Sequence, residues 1–338
     1  MRPLAAGPET ERIMAFVEGA QSGGCRVMEG SAAYDDAAVF GRIEVAAGEQ
    51  IVSSVDQAVE DVHFKRDWGS WTVVGRRAVA GALADLAAMN ASAEEVLVAV
   101  AAPRDLGVEE FRQLGHGVGQ AAFQAGARLA GGDISMSPAG TVIGVTVFGT
   151  TPRPLLRSGA RPGDELWVTG YLGGAAAAVA ALKSGEQPKV LNRFSLDLPP
   201  VRIEEVRWLA DRVNLTAGID ISDGLLRDAS QIAAASGCRL IINLDCVPAS
   251  PSLDGTTSML ALTGGEDHEI LLAAPSGAIE AAEPHFSTEF WIPLTRIGGV
   301  EEGRGVGLRG TGEFGDDELR EIARLAAAPE TGGFVHFS

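Results

Sequence analysis

What this chain lacks narrows its chemistry before any motif is read. It has only three cysteines, Cys25, Cys238 and Cys246, an odd number with no C-x-x-C spacing. That excludes a disulfide framework and a cysteine-built zinc site, and it fits a reducing compartment. No Gly-Lys dipeptide occurs, so there is no Walker A phosphate loop, and neither HRD nor DFG is present. There is no H-E-x-x-H helix and no G-x-S-x-G elbow, and Gly173 and Gly174 lack the dinucleotide-binding spacing. Long apolar runs are missing too. The most aliphatic stretch, GGAAAAVAALKSG at 173–185, is too short and too rich in alanine to span a bilayer. The N-terminus, MRPLAAGPETERIM, has early acids and no apolar core, so no secretory leader is expected. Positive charge is scarce: 27 Lys and Arg stand against 45 Asp and Glu, a net charge of −18. Such a surface repels a phosphate backbone, so nucleic acid is not an expected partner, and neither is a membrane. A cytoplasmic location is expected. A small phosphorylated substrate stays open, provided metal ions intervene locally.

What is there suits a folded enzyme-sized chain. The 338 residues are 46% hydrophobic, enough for a sizeable core, and the length suggests two domains. Gln50–Val55 is short and rich in β-branched residues and reads as a strand ending at Asp56. Residues 71–89 are rich in Ala and Leu and read as a buried helix carrying Asp85. Strands are expected at 96–101 and 141–150, and a helix at 109–127 leading to a Gly-Gly turn at 131–132. The stretch TPRPLLRSGARPGD at 151–164 breaks the pattern and marks a boundary between domains at 1–150 and 151–338. Alternation resumes with a strand at 165–170 and helices near 173–183 and 200–212. A strand then runs to Asp220, followed by a helix from about 224, a strand at 239–244 and a last helix near 316–327. Mixed alternation in both halves predicts α/β or α+β for each.

The chemistry-bearing residues are acids at the ends of apolar segments. Asp35 and Asp36 precede AAVF, Asp56 ends a strand, Asp85 interrupts an apolar helix face, and Asp133 follows Gly131-Gly132. Asp220 and Asp223 bracket a strand-to-helix turn in IDISDG, and Glu266-Asp267 follow Gly264-Gly265. Acids at apolar borders are costly unless paired or bound to metal. Hard cations such as Mg²⁺ take carboxylate oxygens and keep waters and phosphates in their shell. Taken singly, each acid has a purely structural reading. Asp223 is placed to cap the next helix, Asp85 to pair with Arg76 or Arg77, and Asp35-Asp36 to form a turn. His63, in VHF, reads as a packed histidine. Taken together, they point to acid-rich, Mg²⁺-dependent phosphate chemistry.

Eight blocks occur in order along nearly the whole chain: DDAAV at 35–39, SVDQAVEDVHF at 54–64, ADLAAMNA at 84–91 and GGDIS at 131–135, then RSGARPGDELWVTGYLGGAA at 157–176, GIDISDGLLRD at 218–228, LTGGEDHEI at 262–270 and GFVHF at 333–337. In these blocks the chain resembles the thiamine-monophosphate kinase family of the aminoimidazole-ribonucleotide-synthetase-like (PurM-like) superfamily. The resemblance implies a PurM-like two-domain α/β (α+β) architecture whose first domain dimerises through its sheet. It also implies transfer of the ATP γ-phosphoryl group to thiamine monophosphate by direct in-line attack. Asp36, Ser54, Val55 through its carbonyl, Asp56, Asp85, Asp133, Asp220 and Asp223 would hold Mg²⁺, with Asp56 and Asp223 foremost in catalysis. Gly132, Arg157 and Ser222 would contact ATP, and His63, Glu266 and Phe334 the thiamine phosphate. The expected partners are therefore ATP, thiamine monophosphate and a second copy of the chain.

The chain departs from the family pattern at Tyr34, where glycine is usual, at Val55, where threonine is usual, and at His268, where tyrosine is usual. RFSLDLPPVRI at 193–203 replaces a more basic stretch. These departures bear on metal binding and rate rather than on fold. The alternatives are another ATP-dependent enzyme of the superfamily, or a weakly active paralogue that binds nucleotide or thiamine phosphate. VEDVHF, IDISDGL and GFVHF favour the kinase over the first, and retention of the acids weighs against the second.

Overall fold

The computed structural model describes residues 8–27, 48–253, 259–312 and 314–328. They fall into two units, one comprising residues up to Leu86 and Ala91–Arg153, the other Ala87–Asn90 and the chain from Pro154 onward.

The first unit contains α1 (Pro8–Ser22), β1 (Arg26–Val27), β2 (Gln50–Val59), α2 (Trp71–Ala88), β3 (Glu95–Ala102), α3 (Val108–Gln124), β4 (Arg128–Met136) and β5 (Val142–Thr151). Its described strands form one mixed sheet in the order β1-β4-β3-β5-β2. β1, β4 and β3 run parallel, and β5 is antiparallel to both β3 and β2. Alternation decides which face is dry. Val96, Val98 and Val100 on β3 and Ile143, Val145 and Val147 on β5 are buried, while Ala99 between them is exposed. Leu83 and Leu86 of α2 and Leu114 and Val118 of α3 are also fully buried. Each such side chain contributes about 1.5–3 kcal/mol of burial.

Two segments fold differently from expectation. β2 does not end at Asp56. It stays paired with β5 as far as Val59 opposite Val142, so Asp56 sits within the strand. Gly131-Gly132 is not a turn but lies inside β4. A Cβ at Gly132 would overlap the carbonyl oxygen of Val98, and the β3–β4 register shifts by a bulge just before this pair. The glycines permit a close backbone approach there.

The second unit contains β6 (Asp164–Thr169), α4 (Gly174–Lys183), α5 (Val190–Asp197), α6 (Ile203–Ala210), β7 (Ala217–Ile221), α7 (Leu225–Ser236), β8 (Arg239–Asn243), α8 (Met259–Thr263), β9 (Glu269–Pro275), α9 (Glu283–Phe290), β10 (Leu294–Glu301), β11 (Gly305–Arg309) and α10 (Asp316–Ala327). Its sheet runs β11-β8-β10-β6-β9-β7, antiparallel except for the β11–β8 pair. β6 and β7 are buried along their whole length, as is β9 up to Ala274, and the acids they carry, Asp164, Glu165, Asp220 and Glu269, are buried with them. Leu225, Ile232, Ile322 and Leu325 of the helices close over Ile219, Ile242 and Ile297 of the strands in one core. Among the described residues no helix is long and apolar enough to cross a membrane.

Helix α3 shows how tightly the first unit is packed. A Cβ at Gly115 would overlap the carbonyl oxygen of Phe16 on α1, and one at Gly117 that of Thr72 on α2. Gly117→Ala therefore pits a gain in helix propensity of about 1 kcal/mol against an overpacking cost of about 1–3 kcal/mol. Because the obstruction is backbone, the cost should win. The variant is expected to melt several degrees below wild type; an equal or higher melting temperature would show that the helices separate freely.

Candidate functional site

The strand-to-helix turn of the second unit is built on one buried carboxylate. β7 ends at Ile221, and the chain turns through Ser222, Asp223 and Gly224 into α7. Asp228, on the first turns of α7 and 1% exposed, accepts the backbone N–H groups of Ser222, Asp223 and Gly224 on Oδ2 at 3.1, 3.0 and 3.1 Å. Gly224, at φ +118°, is the N-cap, so Asp223 does not cap the helix. The Asp223 carboxylate lies 3.4 Å from Nε of Arg227, and Asp220, 5% exposed, sits one residue before the end of β7. Three carboxylates thus share one turn. Burial first, then the charge of Asp220, pushes the Asp228 carboxyl up to about 7, against the pull of the backbone donors. Sequence reasoning passed over Asp228 as a role-bearing residue. The signal was an acid amid LLRDA, at an apolar helix border.

The segment after α8 lies against this turn. A Cβ at Gly265 would overlap the carbonyl oxygen of Ser222. Glu266 N–H donates to that oxygen and His268 N–H to the carbonyl of Ile221, both at 2.9 Å. Glu266 (φ +72°) and His268 (φ +51°) take left-handed conformations, costly for residues with a Cβ. The His268 ring stands 3.8 Å from Asp220 and 3.9 Å from Glu266. Between them Asp267 turns inward and accepts N–H groups of Gly173 (2.7 Å) and Ala175 (3.4 Å) at the start of α4. Burial raises this carboxyl as well, to about 7. Arg157, exposed on a 3-10 turn at Arg157–Gly159, is tied to the same group. It donates to Gln231 Oε1 at 2.7 Å, and Gln231 Nε2 donates to Asp228 Oδ1 at 3.2 Å. Asp220, Ser222, Asp223, Glu266 and, through Gln231, Arg157 are therefore brought together.

In the first unit, Ser54 and Asp85 meet: Ser54 Oγ donates to Asp85 Oδ2 at 2.6 Å, joining β2 to α2. Asp56 lies two residues along the same face of β2 and accepts its own neighbour's N–H, from Gln57, at 2.7 Å. Val55 points to the opposite face and is 66% exposed. Asp133 is not brought to this pair. Its register row runs through Ala99 and Gly144 to Gln57, on the other face from Ser54 and Asp56 and three strands away, about 14 Å. His63 Nδ1 accepts the Val59 N–H at 3.0 Å, which places the proton of a neutral ring on Nε2. Its carbonyl accepts from Arg77 at 3.3 Å. Asp36 and Phe334 lie outside the described residues.

Among the described residues no three His, Cys, Asp or Glu side chains are gathered into a metal-holding group. The donors still suit one kind of ion. Asp85 with Ser54, and Asp220 with Asp223, are all-oxygen sets without thiolate. Mg²⁺ needs only one or two carboxylates when phosphates and water complete its shell. A cation against Asp220 and Asp223 would also offset the repulsion felt by Asp228.

Comparison with known proteins places these residues in context. Residues 34–151 match the family described as AIR synthase related protein, N-terminal domain, and residues 161–310 match its C-terminal domain. The chain is 32% identical to a thiamine-monophosphate kinase of Rhodopirellula baltica over 79% of its own length and 82% of the relative's. Among solved structures it is similar to a thiamine-monophosphate kinase of Stenotrophomonas maltophilia, with TM-score 0.75 and 29% identity, covering 91% of this chain and 97% of that one. It is also similar to AaThiL complexed with AMPPCP and TMP, with TM-score 0.71 and 28% identity, covering 82% and 90%.

The raised Asp228 and Asp267 carboxyls have a stability consequence. Both bind a proton in the folded chain at pH values where an ordinary carboxylate has lost it. Their contribution is therefore fully present below about pH 4 and is lost as pH rises to about 7. Urea denaturation of metal-free protein should show this fall between pH 5 and 7.5, and Asp228→Asn should flatten part of it. Asp228→Ala should lose about 2–4 kcal/mol at either pH, because three N–H groups lose their acceptor. A pH profile identical in wild type and Asp228→Asn would exclude the assignment.

Proposed function

This chain belongs to the thiamine-monophosphate kinases of the AIR synthase related family, and from that premise we propose how its residues serve the reaction. It is a kinase that uses ATP to phosphorylate thiamine monophosphate. The observation that carries the assignment to this chain's own residues is the Asp220–Gly224 turn held by Asp228 and overlaid by the Glu266 loop.

Both reactants are phosphate anions, so the barrier lies in charge repulsion and alignment rather than in covalent work by the protein. Direct in-line attack by the acceptor phosphate on the γ-phosphoryl group needs no enzyme nucleophile. Asp36, Ser54, the Val55 carbonyl, Asp56, Asp85 and Asp133 in the first unit, and Asp220 and Asp223 in the second, are the residues we assign to Mg²⁺. When bound, Mg²⁺ would neutralise phosphate charge. The Ser54 hydroxyl orients the Asp85 carboxylate. Asp228 fixes the backbone beneath Ser222 and Asp223, so these two need no reorganisation when ATP arrives. Arg157 offers a guanidinium fork to phosphate, and Gly132 is assigned to ATP through its backbone. His63 accepts the Val59 N–H on Nδ1, which fixes its ring, and is assigned to the thiamine phosphate. Glu266 supplies a negative charge, and Phe334 an aromatic face, for the cationic thiazolium.

A homodimer belongs to the same proposal. β2 is the end strand of the described sheet, and it exposes Ile51 and Val55. An exposed apolar edge invites pairing with a second copy. A cytoplasmic setting is supported by the cysteine usage.

ADP release should be seen with ATP, Mg²⁺ and thiamine monophosphate, and should vanish when the metal is chelated. Release with free thiamine but none with the monophosphate would defeat the reading. Asp56→Asn keeps the shape but loses the charge a hard cation prefers. Its kcat should fall at least about 10²-fold, roughly 2.7 kcal/mol of transition-state stabilisation, with metal-free melting level or raised. Normal turnover in a stable Asp56→Asn protein would remove that residue from the site.

A further inference from the structure

Glu266 and His268 hold unfavourable left-handed conformations, so something must keep them there. The segment is pinned in alternation. Backbone hydrogen bonds hold Glu266 and His268 to the end of β7, while the side chains of Asp267 and Glu269 turn into the unit. Asp267 is fixed by the start of α4. The other pin is an ion pair between residues far apart in sequence. Glu269, the first residue of β9, has its carboxylate buried and accepts Arg202 Nε on Oε2 and Arg202 Nη2 on Oε1, both at 2.7 Å. Thr169 Oγ1 adds a third hydrogen bond to Oε2 at 2.6 Å and accepts the N–H of Ile270 at 2.9 Å. The remaining arm of the guanidinium reaches Glu205 Oε1 at 2.9 Å. A Cβ at Gly170, which sits at φ +60°, would overlap Glu269 Oε1, so the backbone is cut away to admit this carboxylate.

Arg202 precedes α6, in the 193–203 stretch that departs from the family pattern and to which the proposed function gives no role. A two-pronged fork fixes both the position and the rotation of the carboxylate it holds. That carboxylate stands three residues from Glu266, with one left-handed residue, His268, in between. Without the fork Glu269 would be a buried charge lacking its main counter-charge, and the start of β9 would have to rotate to reach water. The left-handed residues would then relax, and Glu266 would leave its place over Ser222.

We propose that Arg202 is a positioning residue for substrate binding, acting through its bidentate grip on Glu269 to hold the 264–268 segment so that Glu266 faces the thiamine phosphate. The proposal rests on the reading above that Glu266 contacts that substrate. It separates substrate affinity from nucleotide affinity, which a merely stabilising ion pair would not do.

The test compares full-length variants in steady-state kinetics and thermal melting. Arg202→Met alone would strand both Glu269 and Glu205, so the informative variant is Arg202→Met/Glu269→Gln, which removes both members of the bidentate pair, leaves only Glu205 to lose its ion pair, and should melt above Arg202→Met. Its KM for thiamine monophosphate should rise about tenfold while its KM for ATP stays within about twofold. Arg202→Lys, which keeps the charge but offers one prong, should keep the fold and show the same split in smaller measure. Glu266→Gln should raise the same KM, and adding it to the double variant should bring little further change. A wild-type KM for thiamine monophosphate in both Arg202 variants, with a raised one in Glu266→Gln, overturns the positioning role and leaves the function reading intact. An unchanged KM in Glu266→Gln overturns both. Equal rises in the two KM values would reduce Arg202 to a structural ion pair.

Discussion

A carboxylate that leaves water must be met by donors or by positive charge, and the second unit is arranged around that requirement. Asp228 is met by three backbone N–H groups, Asp267 by the first N–H groups of α4, and Glu269 by a guanidinium fork. Each solution also fixes a piece of backbone. The Asp228 bonds shape the turn that presents Ser222 and Asp223. The Asp267 and Glu269 anchors set the segment that presents Glu266 and His268. Buried acids that do no chemistry themselves thus give the exposed ones their places, and the strain of two left-handed residues is what those anchors sustain.

The first unit meets a different demand, that of backbone approach. Glycines on α3 let α1 and α2 come close, and Gly132 does the same for β4 against β3. The same sheet distributes its acids by parity. Ser54 and Asp56 share the face on which Asp85 of α2 meets Ser54, while Asp133 belongs to the other face.

The sequence by itself determined the alternation of elements, because long Ala- and Leu-rich or β-branched runs can bury their side chains in only one kind of structure. Residues 71–89 and 141–150 fold within a residue or two of expectation, as do the strand before Ser222 and the helix after it. The ordered motif blocks also made the family readable, since matching residues at matching spacing need no coordinates. Local signals misled where two strands had to meet. Gly131-Gly132 looks like a turn until β3 lies beside it, and Asp56 looks like a strand end until β5 pairs beyond it.

Only the tertiary structure decided which acid does which work. Asp223 carries the usual sequence signature of a helix cap, yet the turn's N–H groups go to Asp228, because that carboxylate is buried and has no water to turn to. The Ser54–Asp85 bond spans 31 positions and the Arg202–Glu269 pair 67. Neither spacing carries a local rule, so no reading of neighbours along the chain finds them. Asp133 was recognisable as a candidate from its motif, but the face it occupies depends on a strand register that the sequence leaves open. Composition and periodicity say that carboxylates must be compensated. Where the compensation comes from depends on which distant segments are packed side by side, because hydrogen bonds and ion pairs act over a few ångströms of space rather than along the chain.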